Sequence, residues 1–328
     1  VFNAAALRRE LPPLPPGDPA LMAELYRRHG FTGALRRING DFAVALFDVG
    51  GGRLWLGRDR AGVKPLYWAR TRDGLAFASQ PRAILALPGF PRAVNRRYAA
   101  LVAGCHYRSF DSAPEESPYR DIGQLPAGEA LECGPAGQTR HVYWRLEDRP
   151  DFDRPAAELA EEYRELLRDA VRIRLDAAGS AAFTVSGGMD SSSVLCSAVA
   201  IAGRPQDAYS SVYEDRTYDE REDIGSLLDD KVASWHAVEI GNDIDVFGLV
   251  DRLVAVHDEP VATATWLSHA LVCEQAARDG VGALFGGLGG DELNAGEYEY
   301  FPFFFADLRA AGDEARLARE VEGWARWH

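Results

Sequence analysis

Up to about residue 146 the chain alternates short apolar runs with glycine and proline punctuation: "GDFAVALFD", "GRLWLGRD", "KPLYWA", "GLAFAS", "GEALECG" and "RHVYWRL". Short apolar runs bounded by turn residues predict strands and hairpins. Helical spacing interrupts this rhythm only briefly, at "DPALMAELYRRHG", after the proline-rich "LPPLPPG", and at "SQPRAILAL". The pattern predicts a strand-dominated first domain over residues 1–146.

The polar segment "LEDRPDFDRP" (146–155) carries prolines at both its middle and its end and reads as a linker. Beyond it the period changes. Asp153 can cap a helix with Pro155 in its first turn, and Leu159, Tyr163, Leu166, Leu167, Ala170 and Val171 recur at helical spacing. Then come the strand candidates "AAFTV", "DAYSSVY", "SWHAVEI" and "VGALFGG", separated by helix-length segments such as "SSSVLCSAVAIAG" and "TWLSHALVCEQAARDG". This alternation predicts βαβ units and a parallel sheet covered by helices over residues 155–328.

Composition narrows the function classes. With 328 residues, 47% hydrophobic and 26% charged, the chain has the make-up of a folded protein with room for two cores. Thirty-six Lys and Arg against 50 Asp and Glu leave a net charge of -14, which argues against a general grip on nucleic acid or anionic membrane. An anionic ligand therefore needs a local site. Cys105, Cys133, Cys196 and Cys273 form no C-x-x-C pair or metal-type spacing and read as reduced thiols. The lack of a membrane-length apolar run or a basic-apolar leader makes a cytoplasmic location the expectation. The chain begins with Val1 and ends in the helix-like "EGWARWH", so it reads as a sequence without its natural ends.

One stretch carries chemistry. In "FTVSGGMDSSSV" (183–194) a strand ends at Val185, a loop runs from Ser186 to Asp190, and a helix starts at the serines. Gly187 and Gly188 let the backbone approach a ligand, and a helix N-terminus presents unpaired N–H groups at a positive dipole end. With the hydroxyls of Ser186, Ser191 and Ser192 the loop can hold a pyrophosphate without any lysine. Asp190 would repel that phosphate unless a cation stands between them, which implies Mg²⁺. The bland alternative is a serine-capped helix after a glycine turn. A second glycine-rich loop, in "ALFGGLGGDELNAGEYEYF", leads from a strand into Asp291 and Glu292. If the βαβ reading holds, it lies on the same sheet edge, where Asp190 and Asp291 can share one Mg²⁺. The alternative for Asp291 is another helix cap.

These segments resemble a known family. "SGGMDSS" is similar to the pyrophosphate-loop motif of the ATP pyrophosphatases, and "GGLGGDELNAGEY" to the glycine-rich Asp-Glu segment of the asparagine synthetases. "YDERED" and "HDEP" fall between them in the family's order. "INGDFAVALFDVGGGRLWLGRDRAGVKPLYW", "LAFASQPRAIL" and "IGQLPAGEALECG" resemble the class II glutamine amidotransferase domain that precedes the synthetase domain there.

The resemblance implies an α+β N-terminal domain, an incomplete amidotransferase-like layered β-sandwich, followed by an α/β, Rossmann-like ATP-pyrophosphatase domain lacking its C-terminal part. It implies ATP and Mg²⁺ as cofactors and a two-step reaction. ATP adenylates a small carboxylate, aspartate or a related acid, with loss of pyrophosphate, and nitrogen drawn from glutamine then displaces AMP to leave an amide. By position, Ser186, Gly187, Gly188, Asp190, Ser191 and Ser192 would hold pyrophosphate. Val185, Val212, Gly286 and Gly287 would contact the adenosine part, and Asp190 and Asp291 would bind the metal and serve catalysis. The implied partners are the carboxylate and glutamine, with a homodimer open and neither nucleic acid nor membrane among them.

Three departures qualify this. Asparagine synthetases carry a glutamate three residues before the aspartate of the glycine-rich segment, and β-lactam synthetases a tyrosine; here the position is Leu288, which can neither take a proton nor bind an ammonium. Glu292, Glu297 or a later segment would have to replace it, or Leu288 merely packs. Val1-Phe2-Asn3 resembles the residues just after the family's Asn-Gly-Glu, so the nucleophilic N-terminal cysteine would precede this sequence. Asp18 aligns with the acid that grips the amino group of glutamine, and equally suits a helix N-cap. The family's C-terminal helical region, with its lysine, would follow His328.

The run "YEYFPFFFADL" (298–308) reads first as a buried aromatic cluster and second as part of an acceptor pocket. His257, His269 and Trp266 read as packing or capping residues. The alternatives to a glutamine-dependent synthetase are an intramolecular or amine-dependent amide or lactam former without glutaminase activity, and a degenerate nucleotide-binding module.

Overall fold

The computed structural model describes residues 1–104, 113–147, 154–215, 217, 219–261 and 263–327. Cys105, Asp153 and most of the expected linker lie outside them. The chain divides into two compact units, Val1–Tyr163 with Asn242–Leu271, and Arg164–Gly241 with Val272–His328.

In the first unit the elements run α1 (Ala4–Arg9), α2 (Asp18–Arg37), β1 (Ala43–Asp48), β2 (Arg53–Arg58), β3 (Tyr67–Thr71), β4 (Gly74–Ala78), α3 (Pro81–Leu85), α4 (Arg96–Gly104), β5 (Gly123–Gln124), β6 (Glu129–Gly134) and β7 (Gly137–Val142). The strands form two antiparallel sheets, β1-β2-β6-β7 and β4-β3-β5.

Side-chain alternation decides how they stack, because neighbouring strand residues face opposite ways. On β2 Trp55 joins Leu21, Leu25, Phe31 and Leu35 of α2, while Leu56 joins Leu66, Leu125 and Leu131 toward the second sheet. The far face of that second sheet gathers Tyr67, Ala69, Ile84 and Ile122 over α3. The result is a helix–sheet–sheet–helix stack, the layered arrangement expected.

The expectation of strand dominance fails. Helices claim as much of this unit as strands: α2 alone spans 20 residues, and α1 and α4 were not foreseen. The predicted end of the first helix at Gly30 marks a real break, since Gly30 adopts φ +69° and a second helical stretch follows it directly.

The turn after β2 is built around Asp59, which is buried and accepts the backbone N–H groups of Phe42, Ala61, Val63 and Lys64 at 2.9–3.2 Å. Arg58 beside it donates to the carbonyls of Gly62, Lys64 and Leu125. The pattern places a turn between the runs "GRLWLGRD" and "KPLYWA" but gives no sign of this anchored loop.

The same unit includes α8 (Val246–His257), for which an Asp245 side-chain cap on Gly248 N–H sets the start. Asp258 follows at φ +60° and pairs with Arg82 at 2.6 Å, and Glu259 accepts a hydrogen bond from Tyr67. The "HDEP" segment is thereby held on β3 and α3.

The second unit is the predicted α/β layer. Its elements are α5 (Ala156–Ala177, beginning in the first unit), β8 (Ala181–Thr184), α6 (Met189–Ala202), β9 (Gln206–Tyr213), α7 (Arg221–Lys231), β10 (Val232–Ile240), α9 (Thr265–Arg278, also shared), β11 (Ala283–Phe285), α10 (Gly290–Asn294), α11 (Tyr300–Ala310) and α12 (Glu314–Trp327). All four strands are parallel, in the order β10-β9-β8-β11. One face packs Phe183, Val185 and Ala208 on Val171 of α5, Leu195 and Ala198 of α6, and Ile224 of α7. The other packs Ala182 and Tyr209 on Val272 and Ala276 of α9.

Three expectations need correction. Tyr163 and Leu166 of α5 are largely exposed, so only part of the predicted apolar face is buried. The aromatic run is not a buried cluster: Phe301, Phe304 and Phe305 gather toward Trp324 of α12, but Tyr298 and Phe303 stay 63% and 71% exposed. Trp266 is half exposed rather than packed. Among the described residues no helix is long and apolar enough to cross a membrane, and Cys133, Cys196 and Cys273 are free thiols.

Candidate active site

Strand order locates the site. From β8 the chain proceeds to β9 and β10 on one side, then returns to place β11 on the other side of β8. In open parallel sheets the crevice at such a reversal, beyond the C-terminal strand ends, is where ligands bind. Both glycine-rich loops leave the sheet there, one after β8 and one after β11.

The first loop is closed by its own hydroxyls. Ser186 N–H donates to Ser191 Oγ at 3.1 Å, the two serine hydroxyls share a hydrogen bond at 2.9 Å, and Gly188 N–H donates to Ser186 Oγ at 3.2 Å. Ser192 Oγ donates to Gly188 O at 2.7 Å. Gly188 is the N-cap of α6, so the first-turn N–H groups of Met189, Asp190 and Ser191 have no intrahelical partner. Beneath the loop, Ser210 Oγ donates to Val185 O and itself accepts from Trp235 Nε1, a brace that no sequence motif announced.

The second loop comes so close that only glycine fits. A Cβ at Gly287 would stand 2.5 Å from Ser191 N and 2.7 Å from the Asp190 carbonyl carbon, and one at Gly290 would overlap the Asp190 carboxylate. Asp291 and Glu292 follow in the first turn of α10. Burial, and then the negative charges of Asp291 and Glu292, lift the Asp190 carboxyl above its usual range. Neither aspartate is a helix cap, since Gly188 and Gly289 hold those positions.

Crowded carboxylates beside a ring of neutral donors suit a divalent cation bound with phosphate oxygens. Mg²⁺ in such sites takes one or two carboxylates and completes its shell with phosphate and water. Among the described residues there is no cluster of three or more ligating side chains set up as an all-protein cage.

The structure thus brings together Ser186, Gly187, Gly188, Asp190, Ser191, Ser192, Gly286, Gly287 and Asp291. Val185 and Val212 are buried, 3% and 1% exposed, and the Val185 N–H and C=O are already bonded to Tyr209 O and Ser210 Oγ. Leu288 is 84% exposed and is not packed away among the described residues. In the first unit Asp18 opens α2, with Gly17 as the N-cap and no side-chain cap hydrogen bond. The helix-cap alternative for Asp18 therefore fails.

A four-layer αββα unit and a parallel α/β unit with two glycine loops at its switch point define a two-part α+β and α/β protein. Comparison with known proteins specifies the family. Residues 162–326, half of the chain, match the asparagine synthase family model, and residues 1–144 match the glutamine amidotransferase domain model. The chain belongs to the asparagine synthase family.

It is 27% identical over 320 residues to a Methanocaldococcus jannaschii protein provisionally named glutamine-hydrolyzing asparagine synthetase 2, an alignment covering 94% of this chain and 61% of that one. It is 30% identical over 191 residues to the glutamine-hydrolyzing asparagine synthetase 2 of Bacillus subtilis, covering 54% and 25%. Amidase chyE of Penicillium rubens is 26% identical over 321 residues, covering 93% and 46%. The chain spans less than two thirds of the length of each.

Proposed function

We propose that the protein is an ATP-dependent amide synthetase of asparagine synthetase type, acting on a small carboxylic acid. The observation that carries this is the meeting of the two loops, with Gly287 and Gly290 bared against Asp190 so that Asp190 and Asp291 face one crevice. A carboxylate oxygen of the acid attacks the α-phosphorus of ATP, and the bond to the bridging oxygen of the β-phosphate breaks to release pyrophosphate. A nitrogen nucleophile then attacks the acyl carbon, loses a proton, and expels AMP.

The loop's part is to hold the leaving group. The first-turn N–H groups of α6 are fixed donors, and the hydroxyls of Ser186 and Ser192, now bonded within the loop, can turn to a bound phosphate, which favours the departure of pyrophosphate. Asp190 and Asp291 are the residues that would hold Mg²⁺, whose charge would stabilise the leaving phosphates.

Glutamine as nitrogen donor is supported by the amidotransferase match over residues 1–144. A second reading, an amine-dependent or intramolecular amide former, is favoured by exposed Leu288 and by the amidase name of the Penicillium relative. A cytoplasmic location and a homodimer belong to the same proposal.

ATP–pyrophosphate exchange across a panel of carboxylic acids tests the reading, with glutamine, ammonium and amines compared afterwards as nitrogen sources. One acid should support exchange, and Asp190→Ala should abolish it. Failure to exchange with every acid would sink the proposal.

A further inference from the structure

The Asp-Glu pair within "YDERED" has no part in the chemistry above, yet it reaches the pyrophosphate loop. Gly187 N–H donates to Glu220 Oε2 at 2.9 Å. Glu220 immediately precedes α7, and Asp223 in the first turn of that helix packs so tightly that a Cβ on Gly187 would lie 2.7 Å from Asp223 Cβ. The start of α7 therefore holds the loop at Gly187 by a hydrogen bond and by a contact that only glycine permits.

That hold sets a peptide orientation. N–H and C=O of one planar peptide point in opposite directions. With Gly187 N–H directed at Glu220, the Ser186 carbonyl is directed toward Ser191, whose Oγ lies 3.5 Å away. The Gly187 N–H is thus spent outside the loop and is not offered to an anion within it.

We infer that Glu220 is a positioning residue, pinning the Ser186–Gly187 peptide so that phosphate is received by the N–H groups of the α6 first turn. The inference rests on reading this loop as a pyrophosphate site. It deepens that reading by removing Gly187 N–H from the phosphate donors and adding a residue from a separate segment.

Glutamine keeps an acceptor oxygen at this position and alanine does not. The test is calorimetric titration of the full chain with magnesium-ATP and with magnesium pyrophosphate, for the parent, Glu220→Ala and Glu220→Gln. Loss of one hydrogen bond to a charged acceptor predicts about ten-fold weaker binding for Glu220→Ala, with Glu220→Gln within about threefold of the parent. Glu220 is exposed, so both variants should melt within about 2 °C of the parent. In exchange assays the alanine variant should raise KM for ATP with kcat unchanged, and glutamine should restore it. Alanine binding as tightly as the parent, or tighter, overturns the inference, as does equal weakening by both variants. A parent that binds neither ligand defeats the loop reading itself and the inference with it, an outcome distinct from an active parent indifferent to residue 220.

Discussion

Gly287→Ala is the sharpest perturbation of the site. The new Cβ would stand 2.5 Å from Ser191 N, where ordinary contact begins at 3.4 Å, so about 0.9 Å of movement is required. The atoms it meets are main chain in the first turn of α6, and no rotamer change relieves them. Either the β11 loop withdraws or that turn gives way, and both separate Asp190 from Asp291. Misplacement of reacting groups by about 1 Å costs on the order of 100-fold in rate. Overpacking adds a stability loss of about 1–3 kcal/mol.

Gly289→Ala is the control. It lies two residues on, with open space around it, and bears only the strain of φ +91°, worth about 1–2 kcal/mol. Pyrophosphate exchange and thermal melting should be measured side by side. The expectation is that Gly287→Ala loses about 100-fold in exchange while Gly289→Ala, of similar stability, stays within about threefold. If Gly287→Ala exchanged as the parent does, the close approach of the loops would have no bearing on catalysis.

Other expectations concern the anchored turn, the pH response and the nitrogen-transfer step. Asp59→Ala strips the partner from four backbone donors and should cost about 3 kcal/mol or more in urea unfolding; a loss below about 1 kcal/mol would contradict the role given to it. The Asp190 carboxyl, raised above 3.8, binds its proton more tightly in the folded than in the unfolded chain. Stability should therefore fall as pH rises from 3.8 toward the folded value, and Asp190→Asn should remove that slope; parallel curves for the two proteins would refute it. Leu288→Glu on an exposed position should change stability by less than about 0.5 kcal/mol. It should raise amide formation from ammonium about ten-fold or more and leave pyrophosphate exchange unchanged, and equal effects on both half-reactions would speak against the placement of Leu288 at the second step.

Local patterns carried much of this fold. The apolar runs from "AAFTV" to "VGALFGG" became β8 to β11 in one parallel sheet, because each run is short, β-branched or aromatic, and bounded by turns. The two glycine loops were legible for the same reason, as both sit at strand ends. What escaped were long-range arrangements. Nothing in "GRDRAG" shows that Asp59 turns inward to collect N–H groups from Phe42 to Lys64, and nothing in "HDEP" shows that Asp258 meets Arg82, 176 residues away in sequence. Glu220 was visible as part of a motif, but its hold on Gly187 spans 33 residues and follows from how α7 packs. The exposure of Phe303 likewise depends on which surfaces meet, and hydrophobicity alone predicted burial.

The acidity of the site is itself informative. Asp190, Asp291 and Glu292 are gathered on the loops after β8 and its neighbour β11, and the Asp190 carboxyl is lifted by burial first and then by the two neighbouring charges. A module that needed only to pack would gain nothing from this, since like charges brought together destabilise the folded state. Nor would it need glycines whose missing side chains admit a carboxylate at Gly290 and a helix start at Gly287. The cost becomes intelligible if a cation and an anion enter together: the carboxylates take the metal, and the neutral serine and main-chain donors take the phosphate oxygens, so the loop requires no lysine. A chain of net charge -14 would otherwise repel a triphosphate, and on this arrangement its affinity is invested in the metal-bound form.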